Sequence, residues 1–514
     1  MLDNHELSFL GRVILSLGLI SFVGCLAFLG RRIGQNVVTT SEFYVANRSV
    51  PLLLSVLALL ATWFGSSSVV EASTKMYQGG LGEVILDPIA CGATLILTGI
   101  CFAGRFWKSG CSTVAQLFRV HFGVAAERLS CAIQVPSFFL WIGAQFLAMG
   151  QLLEASLGIP EPIAIVLSAL ATLSIVVWGG MWAVTWANAI MIIVSIASLL
   201  ILASATALNI GQGNVWFGVQ RVVESAPEGF LKVDVSTLPK SLAVVGVLAI
   251  GLMGNVPGQD IQQRVASART AGTARWMCII SGVLYLCIGL VPMYLGLAAR
   301  WKFADRLSDD NLPLNALAQS VLSEPFQIVL IIGMFSLCLA VAAGSTIGQA
   351  TLLTESILDP FFKWASRSTS SSSSSSTSSS TSIATSSAVV SGRSSVLCVI
   401  AGSLLIAFSG QSIMGLLEFS LVLVLVSMFV PMCLALLWPS KEIRPALGTA
   451  TMTVGLVIWL LCFIAENKLG STWALGAWTL PSEIFGLLAS ALTGLYLRSR
   501  TTSESETTGN PVAT

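Results

Sequence analysis

Apolar residues in this chain are gathered into blocks close to the ~20 positions a helix needs to cross a bilayer. Charged and turn-forming residues fall mainly between the blocks. Cut at those breaks, the pattern predicts about thirteen transmembrane helices. Their extents are 8–30, 52–77, 84–103, 126–156, 160–178, 182–206, 240–258, 276–299, 325–357, 395–410, 412–437, 447–466 and 476–497. The expected fold class is an all-α polytopic membrane protein.

A plain bundle of spans needs few polar residues at depth, and two of these spans depart from that in the same manner. In the second, Ala61-Thr62-Trp63-Phe64-Gly65-Ser66-Ser67-Ser68 sets a glycine and a serine run in mid-span. In the seventh, Gly254-Asn255-Val256-Pro257-Gly258-Gln259-Asp260 combines glycines with a proline, which removes a backbone donor and disfavours helix in its predecessor. Unwound backbone at membrane depth is tolerated where it is buried in protein or lines a cavity. The two breaks correspond in position if spans two to six and seven to eleven form two five-helix halves. Paired interruptions of that kind point to a transporter's binding site; the plainer alternative is that small residues only let helices pack closely. A third polar spot, Ala342-Ala343-Gly344-Ser345-Thr346, lies in the ninth span. Its two hydroxyls suit a cation site completed by carbonyls freed at the first break, since a hard cation takes oxygen ligands. Such hydroxyls also often bond back to carbonyls of their own helix.

Basic residues give the expected orientation. With the N-terminus outside, most of the 26 Lys and Arg fall in inside segments, including Arg31, Arg32, Arg105, Lys108, Arg264, Arg275 and Arg498, as the positive-inside rule requires. The C-terminus is then cytoplasmic. The first apolar run is followed, not preceded, by its paired arginines, so it reads as a retained span and not as a cleaved signal peptide. The expected organisation is a first helix and cytoplasmic loop over 1–49, a five-helix repeat over 50–206 and an extracellular loop over 207–239. A second repeat follows over 240–437, with a Ser-rich cytoplasmic loop at 364–394 that is too low in complexity to bury a core. Two more helices fill 438–498, and 499–514 is a cytoplasmic tail.

Composition narrows the function classes. Charged residues are 10% and hydrophobic ones 55% of 514, with a mean hydropathy of +0.85; soluble domains carry roughly 25% charge. The partner surface is therefore membrane lipid. A net charge of +1 argues against nucleic acid. The 11 cysteines sit mostly inside apolar runs, with no CxxC pair and no ligand-like spacing to the 2 histidines, so they read as small packing residues and no metal or cofactor site is expected beyond a coupling ion.

At these residues the chain resembles the sodium:solute symporter family. Ser41-Glu42-Phe43-Tyr44-Val45-Ala46-Asn47-Arg48 looks like that family's loop before the first core helix. Gly179-Gly180-Met181-Trp182-Ala183-Val184 is similar to its turn between core helices four and five, and Gln263-Arg264 with Ala266, Ser267 and Ala268 to its loop after core helix six. Ala61-Thr62-Trp63-Phe64-Gly65 looks closest to the choline-transporter branch and its bacterial relatives. The resemblance implies a LeuT-type fold, five helices plus five in inverted repeat. It also implies a sodium site formed by the carbonyls of Ala61, Phe64 and Ala342 with the hydroxyls of Ser345 and Thr346. Asn188 stands where the family often has an aspartate linked to a second sodium or to sodium exit, which favours one sodium per solute. Gly258 stands where the choline branch carries an aromatic, and a quaternary ammonium is held by aromatic faces.

For the solute, the candidate residues are Trp63, Ser66, Ser67, Glu71, Gln145 and Asn255. Glu71 reads either as a functional intramembrane acid or as a residue of the extracellular mouth, and Asp87 before Pro88 as a helix entrance. The function expected is sodium-coupled symport of a small organic solute by alternating access. Its rivals are a proton-coupled carrier with Glu71 as proton carrier, a transporter-like sensor, whose appended domain the short tail does not supply, and a membrane-embedded enzyme. For the last there is no HExxH or similar cluster. The solute and the oligomeric state stay open.

Overall fold

Several helices in this computed structural model begin at capping side chains. Ser8, Thr113, Asn214 and Thr270 each accept a hydrogen bond from a backbone N–H of the first turn that follows, which satisfies a donor the helix itself cannot. The structure describes residues 7–35, 39–304, 312–358, 380–409, 413–438, 445–469 and 482–507.

Among the described residues, nine helices are long and apolar enough to cross a membrane, and two shorter apolar helices, Leu52–Trp63 and Gly392–Ala407, join them. The count of long helices is below thirteen because some neighbouring helices meet at a kink with no loop between them. Spans 160–178 and 182–206 form one run, Glu161–Ile210, broken only at Gly180, whose φ of 54° and ψ of −147° only glycine adopts without strain. Span 84–103 lies in the longer run Ser67–Ser109. The predicted span 52–77 is split between Leu52–Trp63 and a second piece that resumes at Ser67.

Several expectations change. Ser41–Arg48, read as a loop, contains the helix Thr40–Val45, closed by a capping box between Thr39 and Glu42. Gln263-Arg264, also read as a loop, lies inside the helix Gln259–Ser267. The loop 207–239 carries the helix Val215–Glu224. The helix that holds span 395–410 begins at Ser380, so the end of the Ser-rich stretch is helical; its earlier part, 364–379, lies outside the described residues. The last helix continues to Thr507, and the remainder of the 499–514 tail lies outside the described residues too.

Apolar side chains cover the outside, among them Leu17 (62% exposed), Ile20 (71%) and Leu405 (74%), as a lipid-facing surface requires. Between helices the contacts are small and polar. Ser195 Oγ reaches Gly333 O at 2.8 Å and Ser336 Oγ at 2.9 Å, and Ser137 Oγ reaches Ser420 O at 2.8 Å. Lipid offers no hydrophobic drive to hold helices together, so close backbone approach and such hydrogen bonds take its place. The helices Glu161–Ile210, Val124–Leu157 and Glu324–Leu353 pack on one another and form the frame against which the two broken helices lie.

Candidate functional site

The first break starts at Phe64, where ψ turns to 91° and the helix Leu52–Trp63 ends. That turn aims the Phe64 carbonyl away from the helix axis, and helical geometry is not recovered until Ser66. The second break follows Gly254. Tight turns close from Val256 N–H to Met253 O and from Gly258 N–H to Asn255 O, and Gly258 then caps the helix Gln259–Ser267. Both interruptions stand where the glycine and proline patterns put them.

The helix Glu324–Leu353 crosses the first break at close range. A methyl group on Gly344 would lie 2.6 Å from Thr62 Oγ1, and one on Gly65 would lie 2.9 Å from Val341 Cγ2 and 3.3 Å from Gln145 Oε1. Ala61, Phe64, Ala342, Ser345 and Thr346 are all fully buried in this region. Thr351 and Thr354 on the same helix bond back to the carbonyls of Ile347 and Ala350 at 2.8 Å. Ser345 Oγ and Thr346 Oγ1 have no hydrogen-bond partner among the described residues. The back-bonding alternative therefore fails at these two positions. Two buried hydroxyls with unused lone pairs beside a helix end are an oxygen donor set suited to a bare monovalent cation.

The solute candidates divide into two groups. Ser66 donates to Gln145 Oε1 from both its backbone N–H (3.4 Å) and its hydroxyl (3.2 Å), which brings the first break to the helix Val124–Leu157. Ser67 turns the other way and donates to Asp87 Oδ2 at 2.6 Å. Trp63 is buried; its carbonyl faces the Tyr285 hydroxyl at 3.3 Å. Asn255 is tied to Gly251 O at 3.3 Å and to Cys91 Sγ at 3.6 Å, on the Asp87 side. Glu71 lies one turn beyond Ser67, half-buried and near Lys75 and Glu418; Lys75 and Glu418 themselves pair at 3.8 Å. That neighbourhood favours the mouth over the depth for Glu71.

Two groups at the centre were not among the ion or solute candidates read from the sequence. Asp87 does stand at a helix entrance, with extended backbone (φ −139°, ψ 125°) before Pro88. It is also the hub of a network: Ser67, Ser68 and Tyr285 hydroxyls lie 2.6, 2.9 and 2.8 Å from its carboxylate. Its signal was present, as the one acid between Glu83 and Glu127 in a long apolar stretch. Arg264 is the other. It is 2% exposed and donates to Thr185 Oγ1 at 3.0 Å, with a second nitrogen 3.1 Å from where a Gly344 methyl would sit. Asn188 donates to Thr62 Oγ1 at 3.1 Å next to it.

The chain is 23% identical to the high-affinity choline transporter 1 of Caenorhabditis elegans over 278 residues, which cover 52% of this chain and 45% of that protein. It is 23% identical to the sodium/glucose cotransporter of Vibrio parahaemolyticus over 305 residues, covering 58% and 56%. The chain thus spans about half the length of the curated relatives it matches. In fold it is similar to a substrate-bound, outward-open Na+-coupled sialic acid symporter, at a TM-score of 0.71, 14% identity and coverage of 94% and 97%; the architecture is LeuT-type. A sequence profile of one family matches residues 43–440, the whole stretch that holds both breaks and the Ser345-Thr346 pair, and by that match this multi-pass membrane protein belongs to the sodium:solute symporter family.

Proposed function

We propose that the chain is a sodium-coupled symporter that moves a small organic solute by alternating access. Sodium is held by the carbonyls of Ala61, Phe64 and Ala342 with the Ser345 and Thr346 hydroxyls. The solute lies beside Trp63, Ser66, Ser67, Gln145 and Asn255, with Glu71 at the outer approach. The observation that carries the reading is the pair of buried, unpartnered hydroxyls of Ser345 and Thr346 set against the end of the helix Leu52–Trp63.

Sodium bridging these two helices favours the state in which the solute site is assembled, so it raises the fraction of protein competent to bind solute. By linkage, bound solute tightens sodium to the same degree. Low internal sodium then empties the ion site after the protein opens inward, and the solute follows. The N-terminus lies outside and the C-terminus in the cytoplasm on the distribution of Lys and Arg.

Thermal unfolding in detergent tests this without a known solute. Sodium raises the unfolding temperature above that in potassium at equal ionic strength, because an ion that binds only folded protein stabilises it, and Ser345→Ala removes the difference. Equal unfolding in both salts, with wild-type protein intact, would overturn the reading.

A further inference from the structure

Asp87 is an acid at membrane depth that no Lys or Arg touches among the described residues; Lys75 acts on it only from beyond ion-pair distance. Lys75, in the same broken helix as Ser67 and Ser68, is paired with Glu418. What surrounds the carboxylate is hydroxyl: Ser67, Ser68 and Tyr285 at 2.6–2.9 Å, with Ser68 and Tyr285 also 2.5 Å from each other. Ser67 and Ser68 stand in the first turn after the break, so the positive end of that half-helix offsets part of the charge, about half a unit at most. Three hydroxyls bring three protons, one of which the Ser68–Tyr285 contact uses, whereas a carboxylate offers about four acceptor positions, and Tyr285 also faces the Trp63 carbonyl. Asp87 itself keeps exposed surface while Ser68 and Tyr285 are buried. Part of Asp87 therefore stays accessible beside the break.

We propose that Asp87 is the counter-charge for the solute, and that the site takes an organic cation whose charged nitrogen carries at least one N–H. This rests on the symport reading and names the solute class for that same site. A charged N–H fills the acceptor position left by the three hydroxyls and neutralises a carboxylate that is costly alone at membrane depth. Ser67 donates to Asp87, and the acceptor positions left on the carboxylate suit an N–H donor. The apolar part of the solute has a surface at hand: Trp141 and Met253 pack on the cluster that holds Leu86, next to Asp87 in sequence, with Ile250 and Leu421. A quaternary ammonium lacks the N–H, and Gly258 supplies no aromatic face after the second break.

The test is thermal unfolding in sodium with a fixed panel: ethanolamine, putrescine and agmatine as N–H cations, choline as a quaternary cation, proline as a zwitterion, glucose as a neutral and lactate as an anionic solute. At least one N–H cation stabilises the wild type, and Asp87→Asn weakens its binding about tenfold or more while the sodium shift itself remains. Asp87→Glu restores part of the binding. In proteoliposomes, two positive charges enter per cation with one sodium, against one for a neutral solute. Stabilisation only by choline, glucose, proline or lactate, no stabilisation by any N–H cation, or equal cation binding in Asp87→Asn overturns the proposal. Should Asp87→Asn fail to fold, the panel and the charge ratio on wild type decide alone. Failure of the symport reading is separate: sodium then stabilises no more than potassium, whatever the amines do.

Discussion

Gln145 Oε1 receives both the backbone N–H and the hydroxyl of Ser66, at 3.4 and 3.2 Å. One amide oxygen thereby ties the first residue after the break to a helix of the frame. A side chain at that point senses both whether the broken helix is in place and whether something lies beside it.

Replacing Gln145 by Leu leaves the Ser66 N–H without its acceptor. A buried donor stripped of its partner costs about 1–3 kcal/mol, so the unfolding temperature falls. If Gln145 also lines the solute site, solute affinity falls further than sodium affinity does. Titrating each ligand against thermal stability separates the two. Equal loss for both, or loss of stability alone, would leave Gln145 as a helix tie and nothing more.

Gly344 is held against Thr62, and Thr62 cannot move aside freely. Its hydroxyl donates to Ala58 O at 2.7 Å and accepts from Asn188 at 3.1 Å. Gly344→Ala places a methyl 2.6 Å from that oxygen and 2.8 Å from its methyl carbon, so the two helices must part. Overpacking of this kind costs about 1–3 kcal/mol, and the spread also moves Ser345 and Thr346 away from Ala61 and Phe64. Sodium affinity is expected to drop about tenfold or more, on a loss of that size. Adding Thr62→Ala relieves the clash and recovers part of it in a double-mutant cycle. No recovery would mean that the close approach does not set the ion site.

Gly180 joins two spans at φ 54° and ψ −147°, and a Cβ there would meet the Phe43 carbonyl oxygen at 2.6 Å. Gly180→Ala meets both backbone strain of about 1–3 kcal/mol and a collision with main chain that has no rotamer to change. Strong destabilisation follows, visible as a lowered unfolding temperature with sodium binding kept in the folded fraction. A mild effect would show that the turn between the two spans rearranges without cost.

How far the sequence reached depended on the range over which each signal acts. The breaks at Phe64–Gly65 and Gly254–Gly258 and the turn at Gly179-Gly180 are local effects of glycine and proline, and they are readable without knowing any neighbour. Span ends were less readable, because neighbouring helices such as those on either side of Gly180 follow each other with no loop between them. The Asp87 hub was missed for a different reason. Its partners are Ser67, 20 positions back, and Tyr285, 198 positions on, and only the packing of three helices brings them together. Arg264 was read as a loop cation for the same reason, since its partner Thr185 is 79 positions away. Ser345 and Thr346 stood out as adjacent hydroxyls in an apolar span, and the family resemblance then implied the full ligand set; that their hydroxyls lack partners among the described residues is information only the fold contains.

Gln349 lies one turn along the same helix from Ser345, fully buried, with neither its amide nitrogen nor its amide oxygen hydrogen-bonded among the described residues. An orphaned buried amide costs about 1–3 kcal/mol, and leucine fills a similar volume without that cost. Gln349→Leu is therefore expected to raise the unfolding temperature. A destabilising group kept at such a place implies a use for it. The use that fits is a second oxygen for the ion as it leaves Ser345 and Thr346 during inward release. Sodium-driven uptake should then fall in Gln349→Leu while sodium binding at equilibrium changes little, because the step affected is departure and not arrival. Uptake equal to wild type alongside the higher unfolding temperature would make Gln349 an idle defect in packing. A lower unfolding temperature would mean that its amide has a partner after all, and the argument from its cost would fall.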